Sequence, residues 1–317
     1  MVTGDIKGIK NIAVIGAGFM GHGIAQVFAI KGYSVGLMDI KEELLTKAIE
    51  NIRANLTLKA EHGIGSTADI EPAIARITTT ADMKEAAAGA QFVVEAVLED
   101  LPLKQKVFKE LDAFCPEETI LATNTSVMSI TEIARESRNR ERIVGTHFWN
   151  PPHLLPLVEV VRGEDTSDRT MDVTYEILKH VGKHPVKVQK DVPGFVANRL
   201  QHALWREAVS IVEHGIADAK TVDECIKYSF GIRLPVLSPM ENADMVGLDL
   251  TLAIHEYILK HLESSPEPSP YLKALVEKGD LGFKTGKGFQ EWTPEETQAS
   301  YKRLQEYLMK VLKPNAT

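Results

Sequence analysis

The chain has 317 residues, 44% hydrophobic and 25% charged, with a formal net charge of −8. That composition excludes disordered and fibrous classes, and the length exceeds what a single hydrophobic core ordinarily serves. The negative balance argues against a general affinity for nucleic acid or an anionic membrane, so any polyanionic ligand must be held by local features. Only Cys115 and Cys225 are present, too few for a disulfide framework and without C-x-x-C spacing, which favours a reducing, cytoplasmic setting. The opening residues carry no signal-type apolar stretch, and no run approaches the ~18 apolar residues of a membrane span.

From residue 11 onward, short β-branched runs alternate with longer helical patterns, the signature of a parallel sheet with crossover helices. The spacing predicts strands at Asn11 to Ile15, Tyr33 to Met38, Ala75 to Thr79, Phe92 to Glu95, Thr119 to Ala122 and Arg142 to His147. Two more, Leu157 to Val161 and Pro185 to Val188, close the first domain. After Asp191-Val192-Pro193-Gly194 the strand-like runs stop and helical periodicity takes over. Helices are expected at about Phe195 to His214, after Asp218 or Thr221, and from about Met240 to Leu262. Another ends at Gly279, and a last one opens at Thr293-Pro294-Glu295-Glu296. The fold class is therefore α/β, a doubly wound Rossmann-type sheet domain at about 1–190 followed by an all-α domain at about 191–317. The active site is expected in the cleft where such domains meet.

The first motif is Gly16-Ala17-Gly18-Phe19-Met20-Gly21, placed between a hydrophobic strand and a helix, with Asp39 ending the next strand. In this dinucleotide-binding pattern the first glycine makes the tight turn. The second lets a pyrophosphate approach the backbone, and the third lets helix and strand pack closely. Amides at the helix start then hold phosphate charge without basic side chains. Asp39 would accept from the adenosine ribose and repel a 2′-phosphate, so NAD is preferred over NADP, with Lys41 the only nearby cation. The later Gly282 to Gly288 stretch is no P-loop, because Gly288 stands where a Ser or Thr must bind the metal.

Oxidation of an alcohol needs a base for the hydroxyl proton. Of ten histidines, His147 stands out because it ends a strand and Glu159 follows on the next. If those strands turn back on each other around His153, the two residues fall opposite one another, a base beside an orienting carboxylate. No metal-ligand set competes: His180 and His184 are separated by Gly182, and there is no H-E-x-x-H or clustered Cys. Ser126 lacks the G-x-S-x-G frame of a hydrolase nucleophile. Basic residues are not interleaved with aromatics as single-stranded nucleic-acid binders require.

The segments GAGFMGHGIA, VVEAVLEDLPLKQKVF, LATNTS, HFWNPPHLLPLVEVV, DVPGFVANRL, MENADMVGLD and GFKTGKGF, in that order along nearly the whole chain, resemble the 3-hydroxyacyl-CoA dehydrogenases. The resemblance implies that His147 is the general base with Glu159 its partner. It also implies that Ser126 contacts the reacting oxygen, and that Asn198 helps hold the substrate. To the cofactor residues it adds Glu99, Lys104, Asn150 and Lys284, and it implies a homodimer paired through the helical domain. Three departures stand out. Asn55 and His62, next to Glu61, occupy positions where the family often has a Ser and a Lys that meet CoA. Trp149 replaces a usual Phe. The stretch Phe230 to Pro239, and ALWREA at 203–208, look more like the relatives that oxidise free 3-hydroxy acids, the L-carnitine and L-gulonate dehydrogenases, with Arg233 a candidate partner for a substrate carboxylate. The expected substrate is thus an acyl-CoA thioester or, alternatively, a free 3-hydroxy acid. A non-catalytic NAD-binding protein is the rival from another class, and the joint presence of His147, Glu159, Ser126 and Asn198 argues against it.

Overall fold

The computed structural model describes residues 8–312. In chain order the elements are β1 (Asn11–Ile15), α1 (Phe19–Ala29), β2 (Ser34–Met38), α2 (Glu42–Glu61), α3 (Ile70–Ile74), β3 (Ile77–Thr80), α4 (Met83–Ala87) and β4 (Phe92–Glu95). Then follow α5 (Leu101–Phe114), β5 (Ile120–Thr123), α6 (Ile130–Ile133), β6 (Ile143–Phe148), β7 (Leu157–Val161), α7 (Asp168–His180) and β8 (His184–Val188). The rest is helical: α8 (Ala197–Glu213), α9 (Ala219–Tyr228), α10 (Phe230–Arg233), α11 (Pro239–Val246), α12 (Leu248–Ile258), α13 (Pro270–Glu277) and α14 (Pro294–Leu312).

All strands join one sheet in the order β3-β2-β1-β4-β5-β6-β7-β8, the doubly wound α/β arrangement. The order reverses between β1 and β4, where such sheets open a ligand-binding crevice at their carboxyl ends. The central strands β1 and β4 to β7 are largely apolar and buried because both faces are covered. On β1, Ile12 and Val14 join the core formed with Ile24, Phe28, Ile52 and Ile177. Ala13 and Ile15 join the opposite core with Val107, Phe108, Leu111 and Ile133. β1 to β6 are parallel, whereas β7 runs antiparallel to β6 and pairs His147 with Glu159 in register. Successive side chains on a strand alternate faces, so directly opposed residues share one face.

Among the described residues the chain divides into two compact units, 8–198 with 305–312, and 199–304. The segment 191–198 goes with the first unit rather than opening the second near residue 191, because hydrogen bonds tie it to the sheet domain at Asp191, Val196, Ala197 and Asn198. The C-terminal part of α14 also counts with the first unit. In the second unit the long helix expected from Met240 to Leu262 is broken: Gly247 has φ of +103° between α11 and α12, a conformation open to glycine and unfavourable for other residues. The third strand begins at Ile77 instead of Ala75, because Arg76 is still engaged by the turn after α3, where its amide donates to the Ala73 carbonyl.

Candidate active site

The nucleotide-binding turn is shaped by contacts that leave no room for side chains. A Cβ at Gly21 would lie 1.7 Å from the Gly16 carbonyl oxygen, and one at Gly16 would lie 2.5 Å from that of Ala96. Gly18 faces open space and caps α1, which has neither a side-chain cap nor an acidic residue in its first turn. A helix start left open beside the crevice suits the pyrophosphate of NAD. Phe19 is exposed and Met20 half-buried at this turn. Asp39 is fixed in advance: its Oδ2 accepts from the Ala17 amide at 2.9 Å and its Oδ1 from the Lys41 amide at 3.3 Å. The donor set therefore fits a dinucleotide, with a carboxylate where the adenosine ribose would bind.

Beyond β4 lies a charged line that the sequence reading did not anticipate. Glu95, wholly buried at the end of β4, accepts from Lys104 Nζ at 2.7 Å, the Val97 amide at 2.8 Å and Thr123 Oγ1 at 2.6 Å. Burial raises its pKa, and Lys104, Thr123 and the Val97 amide oppose that rise. Lys104 is itself fully buried and reaches Glu99 at 3.3 Å. Glu99 in turn accepts from Thr125 Oγ1 at 2.5 Å and from the Ser126 amide at 2.8 Å. Lys104 thus lies wholly buried between Glu95 and Glu99 in this structure. The signal for Glu95 was an acid ending an otherwise apolar strand. Asn124 was also missed; its Oδ1 accepts from the Phe148 amide at 3.0 Å and ties β5 to the end of β6.

His147 and Glu159 meet on adjacent strands, with Nδ1 2.8 Å from Glu159 Oε2 and side-chain exposures of 6% and 1%. A carboxylate only accepts, so Nδ1 carries the proton and Nε2 is the imidazole's free lone pair. Glu159 Oε1 accepts from the amides of Val196 and Ala197, at 2.9 and 3.0 Å, at the start of α8. Burial would raise the Glu159 carboxyl, but the His147 hydrogen bond and these two amides together outweigh it and hold the group below its ordinary value. The neighbouring histidines lack such a partner. Burial, then Lys59, His22 and Lys183, push His153 down to about 3, and burial lowers His22 despite the Gly18 carbonyl that its ring engages.

Asn198 is buried and its Nδ2 donates to the Ser126 carbonyl at 2.9 Å, so Ser126 is braced from both sides while its side chain stays exposed. Asn150, exposed, follows β6, and the loop behind it is held by Lys59 on the His153 carbonyl at 3.4 Å. Lys183 completes that grip on the carbonyls of Pro152 and Leu155, and burial with Lys59 beside it brings the amine down to about 7. Arg233, at the end of α10, and Lys284 belong to the second unit and are exposed there. Among the described residues no cluster of His, Cys, Asp or Glu could hold a metal, and no helix is long and apolar enough to cross a membrane.

Residues 11–192 match the family model for the NAD binding domain of 3-hydroxyacyl-CoA dehydrogenase, and residues 194–292 that for its C-terminal domain. The chain is 35% identical over 293 residues to the 5-formyl-3-hydroxy-2-methylpyridine 4-carboxylate 5-dehydrogenase of Mesorhizobium japonicum, covering 92% of this chain and 93% of that one. A crystal structure of a dehydrogenase of that description, titled an NAD+ dependent dismutase, superposes with a TM-score of 0.88 at 33% identity, covering 96% and 97% of the two chains. The probable 3-hydroxybutyryl-CoA dehydrogenase of Bacillus subtilis is 38% identical over 285 residues, 90% of this chain and 98% of its own.

Two measurements check this site. Because Asp39 would face an added 2′-phosphate, catalytic efficiency with NAD should exceed that with NADP by about tenfold or more, a difference of about 1.4 kcal/mol; equal efficiencies would contradict the assignment. The second concerns pH. A carboxyl held below its ordinary 4.5 contributes stability above that pH and loses it as pH falls through the lowered folded value. Urea unfolding of Glu159→Gln should therefore show a deficit against the parent that shrinks as pH falls below about 4.5. A deficit that persists undiminished or grows as pH falls from about 4.5 toward 3 would refute the hydrogen-bonded anion.

Proposed function

The chain belongs to the NAD-dependent 3-hydroxyacyl-CoA dehydrogenase family, and on that basis we propose that it oxidises an L-3-hydroxyacyl-CoA thioester reversibly to the 3-oxoacyl-CoA. The observation that carries this reading is the buried 2.8 Å contact between His147 and Glu159, joined to the braced Ser126 loop. His147 Nε2 takes the proton of the substrate hydroxyl, and Glu159 stabilises the imidazolium that results without itself accepting the proton. The exposed Ser126 hydroxyl contacts the reacting oxygen. Asn198 keeps Ser126 in place through its carbonyl and helps hold the substrate. NAD, when bound, supplies the hydride acceptor, held by the amides at Gly18 to Gly21 and by Asp39, with Glu99, Asn150 and Lys284 as further contacts.

A thioester carries a long anionic tail that needs cations or donors along its path. Asn55 and Lys59 on α2 and His62 at its C-terminal cap recur at helical spacing and are each half-buried, a polar stripe available to such a tail although the family's usual Ser and Lys are replaced and Lys59 also holds the His153 carbonyl. A second reading, oxidation of a free 3-hydroxy acid, is favoured by Arg233, whose guanidinium would pair a carboxylate bidentately; the similar pyridine 4-carboxylate enzyme has a free carboxylate and no thioester in its named substrate. The two free thiols, Cys115 buried and Cys225 exposed, suit a reducing, cytoplasmic compartment.

The same reading includes a homodimer formed through the helical unit. Within residues 199–304 only Val222 and Leu275 are buried, whereas Leu200, Leu204, Trp205, Leu248, Leu250, Leu252 and Ile254 are exposed. So little burial cannot hold a unit of this size in water, and a large exposed apolar surface marks an interface. Light scattering on the purified protein should give about twice the 35.0 kDa chain mass; a monomer at micromolar concentration would contradict the dimer.

Following NADH absorbance with short 3-oxoacyl-CoA thioesters and free 3-hydroxy acids separates the substrate readings. Thioesters should turn over, Arg233→Ala should leave that rate nearly unchanged, and His147→Gln should lower it by about 10² to 10⁴ with NADH binding intact. The thioester reading fails if the enzyme ignores thioesters yet oxidises a free acid in an Arg233-dependent way. Near-normal turnover of His147→Gln would remove that residue from the mechanism.

A further inference from the structure

Among the described residues Phe195 is the one non-glycine with positive φ, at +51°. A bulky aromatic side chain in the left-handed region is a steric outlier, and such conformations persist only where their surroundings impose them, most often at functional sites. Gly194, beside it, also has positive φ, at +77°, so the turn consists of two successive left-handed residues. The second of them carries a large ring. That ring is 1% exposed and its centroid lies 5.6 Å from that of the His147 imidazole at 56° between planes.

The backbone turn has a direct consequence for the site. The Phe195 amide closes onto the Val192 carbonyl at 3.0 Å, and the chain then leaves so that the next two amides, Val196 and Ala197, both point at Glu159 Oε1. An extended or right-handed residue at 195 would send those amides elsewhere. Trp149 packs on the imidazole as well, at 5.4 Å between centroids, so His147 is held by two aromatic rings and by one carboxylate oxygen. A residue that only filled the core would need neither the left-handed backbone nor contact with the imidazole.

We propose that Phe195 is a positioning residue for the His147–Glu159 pair: its left-handed backbone aims two helix-start amides at Glu159 Oε1 while its ring limits rotation of the imidazole. The proposal rests on the reading of His147 as the general base. It adds that the first residues after the Pro193-Gly194 turn set the orientation of that base, independently of any contact between Phe195 and substrate.

The test uses Phe195→Gly, which keeps the left-handed backbone accessible and removes the ring, and Phe195→Leu, which restores part of the packing but not the flat face. Active-site concentration is fixed by NADH titration, so that misfolded protein does not count, and kcat is expressed per NADH-binding site with acetoacetyl-CoA as substrate. Phe195→Gly should lose about tenfold or more in kcat, with KM and NADH affinity within about threefold of the parent, because a misoriented base weakens the chemical step and not ground-state binding. Phe195→Leu should recover part of that loss. A kcat per site within twofold of the parent in Phe195→Gly, with His147→Gln inactive, overturns this inference and leaves the base assignment standing. Normal turnover in His147→Gln overturns both. A loss confined to KM would show that Phe195 serves binding instead and would also overturn it.

Discussion

Glu159 is a fully buried carboxylate whose two oxygens are divided between different parts of the chain, Oε2 toward His147 and Oε1 toward the start of α8. A buried charge with no partners would cost several kcal/mol. Here three donors surround it, two of them backbone amides at a helix start, where the peptide dipoles favour a negative charge. The group therefore stays ionised, and an ionised Glu159 is what fixes the proton on His147 Nδ1 and leaves Nε2 with a free lone pair. The arrangement depends on the reversal of β7 against β6, since only an antiparallel neighbour returning after the short 149–156 loop sets residues 147 and 159 directly opposite each other.

The second structural requirement is a firm frame for Ser126. It comes from the line Glu95, Lys104, Glu99, in which every charge has a partner and only Glu99 reaches the surface. From the other side Asn198 holds the Ser126 carbonyl, and Asp191 accepts from Ser129 Oγ at 2.6 Å and from the Thr131 amide at 2.8 Å. The segment 191–198 thus touches His147, Glu159 and the Ser126 loop together. Its hydrogen bonds explain why it packs with the sheet unit, although by composition it reads as a linker.

Much of this was legible in the sequence because it rests on local rules. Continuous apolar runs separated by helical patterns gave the sheet, the glycine spacing gave the cofactor turn, and a short connection between two β-branched runs brought His147 to Glu159. What escaped depended on long-range partners. An acid ending Phe92–Glu95 reads as a strand terminus until Lys104, from the next helix, and Thr123, from the next strand, are seen to close on it. Lys104 reads as a cofactor contact by resemblance, and its burial between Glu95 and Glu99 is not visible in the sequence. Nothing in a phenylalanine following Pro-Gly announces a left-handed backbone. The break at Gly247 had a visible signal, a glycine inside a helical stretch, which apolar periodicity on either side outweighed.

The central claim, that Glu159 holds His147 in the tautomer with Nε2 free to accept a proton, can be read directly by ¹⁵N NMR of histidine-labelled protein at a pH where the ring is neutral. The His147 signals should show Nδ1 protonated and Nε2 bare in the parent, with that preference lost or reversed in Glu159→Gln, whose amide can donate to Nδ1 instead. A parent spectrum with the proton on Nε2 would contradict the claim, because Nε2 would then have no lone pair to offer.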